Sequence, residues 1–195
     1  ERAIGDPRYD PIFEAAQDND LPITFHGSGS ASQWDMSSMA KGLNSYLQLH
    51  AVTHPFMAML TLTSLITEGV PVKFPDLDFV YLEAGIGWVP YLMHRLNREY
   101  AERRSQAPLL EQSPETYIRE NFYFATQPIG EPDRQADIKQ VIDLVGADSL
   151  MFSTDHPHFD FDNPETVHSY FEDLSPEERE QVFSKNAANV YDIPI

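Results

Sequence analysis

Four short runs of apolar residues stand out along the chain, at 22–26 (PITFH), 79–83 (FVYLE), 122–126 (FYFAT) and 150–155 (LMFSTD), each bounded by turn or charge signals. They are nearly continuously apolar and rich in β-branched and aromatic residues, the pattern of strands covered on both faces as in parallel sheets. Stretches with helical spacing lie between them. Residues 11–18 lead into the first run, and residues 55–68 carry Pro55 at a first helical position and Gly69 just past the end. Residues 88–104 place Val89, Leu92, Met93 and Leu96 on one face, and 132–144 precede the last run. Repeated strand–helix alternation predicts right-handed βαβ crossovers and an α/β fold with a parallel sheet. Two longer excursions interrupt the rhythm. Residues 27–44, rich in Gly and Ser, follow a strand and are the candidate substrate loop, whereas 105–120, with Ser113-Pro114-Glu115 as a helix start, are expected to be a peripheral insertion.

Composition narrows the function classes. Among 195 residues, 31 acidic side chains face 13 basic ones, a formal charge of −18, which excludes a nucleic-acid binder working through a basic face. Acids spread along the whole chain, with four lysines, favour solubility by self-repulsion and fit either a salt-rich cytoplasm or an acidic mesophilic protein. No unbroken apolar run approaches the ~18 residues of a membrane span, and the first ten residues lack signal-peptide character, so a soluble, cytoplasmic protein without a membrane partner is expected. Without cysteine, any metal must be held by His, Asp, Glu or water. The phosphate loops of nucleotide enzymes and the GxSxG elbow are also missing from the sequence.

Three of the predicted strands end in a side chain able to bind a metal: His26, Glu83 and Asp155. A strand end is where a rigid sheet can aim such groups at one centre, and imidazole with carboxylate suits Zn²⁺, Mn²⁺ or Fe²⁺ in a catalytic site. Each residue also has a plainer reading, a hydrogen-bonded turn for His26 and a turn or helix cap for Asp155. His156 and His158 have ligand spacing but follow the strand end, so they either touch metal or substrate or are held by Asp160, Asp162 and nearby backbone. His50 and His54 flank the predicted helix start, where His54 either caps the helix or meets the substrate. His94 and His168 read as solvated, Trp88 as a core residue and Arg95 as half of an ion pair.

In four places, in order, the sequence resembles the second amidohydrolase family, the metal-dependent TIM barrels that include aminocarboxymuconate-semialdehyde decarboxylase and resorcylate decarboxylase. The residues that carry the resemblance are Ile23-Thr24-Phe25-His26-Gly27, then Phe74-Pro75-Asp76-Leu77 leading into Tyr81-Leu82-Glu83-Ala84-Gly85-Ile86-Gly87-Trp88-Val89-Pro90 and Arg95-Leu96-Asn97, then Phe152-Ser153-Thr154-Asp155-His156-Pro157-His158, and Asn186-Ala187-Ala188-Asn189-Val190-Tyr191. The resemblance implies a (β/α)8 TIM-barrel type in which residues 1–195 form a single domain supplying roughly strands five to eight and their helices. His26 then resembles the metal-ligand His after the fifth strand, and Asp155 the Asp after the eighth, which binds metal or moves the proton of metal-bound water. Glu83 stands where the family's decarboxylases commonly carry His. The family's first-strand ligand pair has no counterpart before His26, and four strands are half of a barrel that typically needs ~250 residues. A half-barrel would leave two open edges and is therefore expected to associate as a homo-oligomer or to be completed by a further segment.

The implied function is a metal-dependent hydrolase in which metal-activated water attacks a carbonyl or imine carbon of a small molecule. In that reading His26 and Asp155 hold a divalent ion, Zn first with Mn or Fe as alternatives, Asp155 and Glu83 are catalytic, and His54, His156 and His158 contact substrate. The alternatives are a metal-dependent decarboxylase of an aromatic or unsaturated acid, and a non-catalytic truncated half-barrel.

Overall fold

Alternation of side chains along a strand explains how the sheet is built. A computed structural model of the chain describes residues 2–26 and 42–195. Its four strands, β1 (Ile23–His26), β2 (Phe79–Leu82), β3 (Phe122–Ala125) and β4 (Leu150–Met151), form one parallel sheet in that order. Register sets Phe25 against Tyr81, Phe79 against Phe122 and Tyr81 against Phe124, so one face of the sheet is a ladder of rings. Phe79 and Phe122 stack with centroids 4.8 Å apart, and Tyr81 and Phe124 at 5.8 Å. Onto this face pack Phe13 of α1 (Asp10–Gln17), Leu62, Leu65 and Ile66 of α2 (Tyr46–Thr67), and, beyond a short α3 (Val70–Lys73), Leu92 and Met93 of α4 (Val89–Arg103). β1 departs from the expected two-sided burial: Thr24 and His26 are exposed, and only Ile23 and Phe25 turn inward.

The opposite face carries Val80, Leu82, Tyr123 and Met151, packed against Ala187 and Val190. Those two belong to α9 (Asn186–Val190), the end of a helical run that follows α7 (Pro164–Tyr170), α8 (Pro176–Glu180) and a π-helical turn (Gln181–Lys185). The Asn186 amide donates to the carbonyls of Ala147 and Leu150 at the base of β4, and the Tyr191 hydroxyl lies 3.2 Å from Thr24 Oγ1. The C-terminal segment thus ties both outer strands together.

Several boundaries differ from the sequence expectation. α2 begins at Tyr46, nine residues before Pro55, because Ser45 and Gln48 form a reciprocal capping box. Pro55 is therefore an interior residue that withholds one N–H from the helix. Gly69 ends it as expected, with φ 69°, and Leu109 approaches so closely that a Cβ there would clash. At 22 residues α2 is, by length and composition, apolar enough to cross a membrane. Its apolar run is broken in sequence by His50, Thr53 and His54, and its inner side is core. The segment expected to be a peripheral insertion carries α5 (Pro114–Asn121), which buries Tyr117 and Ile118 and feeds directly into β3. α6 (Gln135–Val145) starts three residues later than predicted. The candidate substrate loop falls mainly on residues 27–41, outside the described residues.

Candidate active site

His26 closes β1, Glu83 follows β2 by one residue, and Asp155 comes four residues after Met151, since β4 is only two residues long. All three lie toward the C-terminal rim of the sheet. Glu83 and Asp155 both hold left-handed backbone conformations, φ 53° and 63°. Such conformations are costly for a side chain with a Cβ and cluster at functional sites.

The rim is organised as pairs of imidazole and carboxylate. His26 Nε2 is 2.6 Å from Glu83 Oε2, with the Glu83 side chain largely shielded and the His26 ring half exposed. On the other side of Glu83, His54 Nδ1 stands 3.9 Å from Oε1, too far for a hydrogen bond. His54 is buried, and desolvation holds its pKa below the ordinary histidine value against the pull of Glu83, so it is a neutral ring beside the carboxylate. His158 Nδ1 lies 2.7 Å from Asp155 Oδ2 in an exposed turn, and this contact raises the His158 pKa. His50 Nε2 is 3.4 Å from Asp160 Oδ2 and its ring stacks on Tyr46 at 4.8 Å, with Phe159 tilted against both. Tyr46 and Phe159 are largely exposed and form an aromatic wall around His50, whose ring in turn meets His54 edge-on at 5.2 Å.

The structure therefore brings His26, Glu83 and His54 together and places Asp155 with His158. His156 has Phe161 edge-on at 5.2 Å. The expectation that Asp160 and Asp162 hold His156 and His158 is corrected: Asp160 reaches back to His50, and Asp162 accepts the Ile129 N–H. Sequence reading also missed His50 as a partner of the 155–162 loop, because the helix carrying it begins earlier than Pro55 suggested. Away from the rim, Arg95 pairs with Glu99 and Trp88 is buried, its Nε1–H donating to Gly85 O at 2.9 Å, as expected. His168 is not simply solvated: its ring stacks on Phe183 at 3.9 Å.

Among the described residues no group of three His, Asp or Glu side chains is arranged to hold a metal ion. The donor types nonetheless fit one. Imidazole and carboxylate are the ligands of Mn²⁺, Fe²⁺ and Zn²⁺, and the contact between His26 and Glu83 gathers one of each at the rim. β1 and β4 are the outer strands of the four, so the backbones that carry His26 and Asp155 are three strand spacings apart, roughly 14 Å along the sheet.

A family profile described as amidohydrolase matches residues 2–193. A gamma-resorcylate decarboxylase from Polaromonas sp. strain JS666 is 26% identical over 189 residues, which are 94% of this chain and 54% of that protein. The crystal structure of an amidohydrolase from Mycobacterium avium subsp. paratuberculosis superposes with a TM-score of 0.79 at 20% identity, covering 97% of this chain and 47% of that one. A dihydroxybenzoic acid decarboxylase from Polaromonas sp. JS666, solved with bound manganese and the inhibitor 2-nitroresorcinol, superposes at 0.67 with 23% identity, 98% of this chain and 55% of that one. At these identities the two solved structures establish a shared fold. The chain spans about half the length of the proteins it matches.

Proposed function

Because this chain belongs to the amidohydrolase family, we propose that it forms strands five to eight of a metal-dependent barrel that removes the carboxylate of an aromatic acid. The observation that carries the reading is the imidazole–carboxylate contact of His26 with Glu83 at the C-terminal rim of a parallel sheet, the end at which barrel enzymes build their sites. The relatives named as decarboxylases support the carbon–carbon lyase alternative over the hydrolase that the residues suggested first.

In this reading His26 and Glu83 would hold a divalent ion, and Asp155, engaged by His158, would serve proton transfer beside it. Manganese is the first metal to test, ahead of zinc, because a relative was solved with it. Bound there, the ion would supply positive charge for the oxygens of an acidic substrate. The chain's own groups do the rest. Tyr46 and Phe159 offer ring faces on which a planar acid can stack. Neutral His54 stays beside Glu83 without competing for it as a cation. In the reaction the bond between ring carbon and carboxyl carbon breaks, its electron pair remains on the ring carbon, that carbon takes a proton, and carbon dioxide leaves. The 2.7 Å contact between Asp155 and His158 supports a role for this pair in holding that proton.

The test is incubation of the chain with Mn²⁺ and gamma-resorcylate, with chromatographic detection of the decarboxylated phenol, for the wild type, His26→Ala and Asp155→Asn. Product from the wild type, and rates about 100-fold or more lower in both variants, is the expected result. Metal binding without product would return the hydrolase reading. No product and no metal binding would leave a non-catalytic half-barrel.

A further inference from the structure

The loop that carries Asp155 and His158 is tied down at both ends. At its start, Thr126 and Ser153 form a reciprocal clasp: Ser153 N–H donates to Thr126 Oγ1 at 3.0 Å, Thr126 Oγ1 donates to Ser153 O at 3.2 Å, and Gln127 N–H donates to Ser153 Oγ at 3.1 Å. Within the loop His158 N–H donates to Asp155 O and Phe161 N–H to His158 O, which makes two successive turns. At its end, Asp162 N–H returns to Thr154 O, next to Asp155, and Asp162 Oδ2 accepts the Ile129 N–H at 2.8 Å. Asn163 then caps α7, so the loop stops there. The clasp continues toward Glu83, since Gly85 N–H donates to Gln127 O and a Cβ on Gly85 would strike Pro128 O.

Asp162 is 8% exposed, and Thr126 and Gln127 are more deeply buried still. A buried carboxylate is retained only where its bonds offset its desolvation. Here the bond crosses from the β4 loop to the β3 loop, where the Ile129 N–H donates to the Asp162 carboxylate.

We propose that Asp162 is a positioning residue of the rim: by accepting the Ile129 N–H while its own N–H holds Thr154, it fixes the 155–162 loop, and with it the Asp155–His158 pair, against the end of β3. The consequence for metal affinity rests on the function proposed above; the tether itself does not.

The experiment compares the 195-residue wild-type chain, Asp162→Ala and Asp162→Asn by hydrogen exchange with mass spectrometry and by Mn²⁺ titration followed by electron paramagnetic resonance. Loss of one buried hydrogen bond corresponds to about tenfold faster exchange in segments 127–131 and 153–162 of Asp162→Ala, with α4 unchanged. Mn²⁺ affinity is expected to fall about fivefold or more in Asp162→Ala, and Asp162→Asn, whose amide oxygen still accepts, to return both readouts to within about twofold of wild type. Should Asp162→Ala lose protection throughout, Asp162→Ser carries the same expectations with a smaller deletion. Unchanged exchange in both segments overturns the proposal, as does an Asp162→Asn variant as loose as Asp162→Ala. If the wild type takes up no Mn²⁺, the metal reading fails and the exchange result alone decides the role of Asp162.

Discussion

A left-handed backbone at Glu83, φ 53°, forces a long side chain into a conformation that asparagine adopts more readily. The strain aims the carboxylate at His26, so stability and binding pull in opposite directions at this position. Glu83→Asn is expected to stabilise the fold by up to about 1 kcal/mol in thermal denaturation while lowering Mn²⁺ affinity about tenfold or more. A second carboxylate lies at the other end of the sheet. Asp78, just before β2, is held above the ordinary carboxyl range by burial. The folded chain therefore keeps a proton that the unfolded chain has lost, and stability declines as pH rises from about 4 through the raised folded value. Asp78→Asn should be more stable than wild type at pH 7, with the two melting curves converging below about pH 4. A difference that persists in acid would rule out the ionisation as its cause.

Among the elements, the aromatic ladder is the part of the core most sensitive to change. Phe79 meets Phe13, Phe25 and Phe122 and is fully buried, so Phe79→Ala should cost about 3–5 kcal/mol in urea unfolding. Phe159→Ala, at a ring 80% exposed, should stay within about 0.5 kcal/mol. The strands were legible because their apolar runs are short and bounded, and each was placed within a few residues. α2 was not, because Pro55 imitates a helix start, whereas the true start depends on the bond between Ser45 and Gln48 side chains and backbone. α5 was read as peripheral because its inward residues Tyr117 and Ile118 are interleaved with charges, and only the packed sheet shows which side they face. At the rim the candidates His26, Glu83 and Asp155 were named from strand ends alone. The pairings His54–Glu83, His50–Asp160 and Ile129–Asp162 were hidden, since each joins elements more than 25 residues apart in sequence.

For the whole molecule, charge and the two outer strands of the sheet are the governing features. With −18 formal charge, self-repulsion should lower the melting temperature in dilute buffer and molar KCl should raise it; equal values in both would remove the salt-adapted reading. β4 is covered on its outer side where Phe152 N–H donates to Val182 O of the π-helical turn, and β1 is an outer strand of the sheet. Among the described residues β1 pairs with β2 alone, and an open parallel edge favours association, so sedimentation should give a mass that is a multiple of 22.2 kDa rather than 22.2 kDa itself. Anomalous scattering at the manganese edge, from crystals grown with Mn²⁺, addresses the account as a whole. A single peak bonded to His26 Nε2 and the Glu83 carboxylate is the result expected, and a chain that takes up no manganese, or binds it away from both residues, would contradict it.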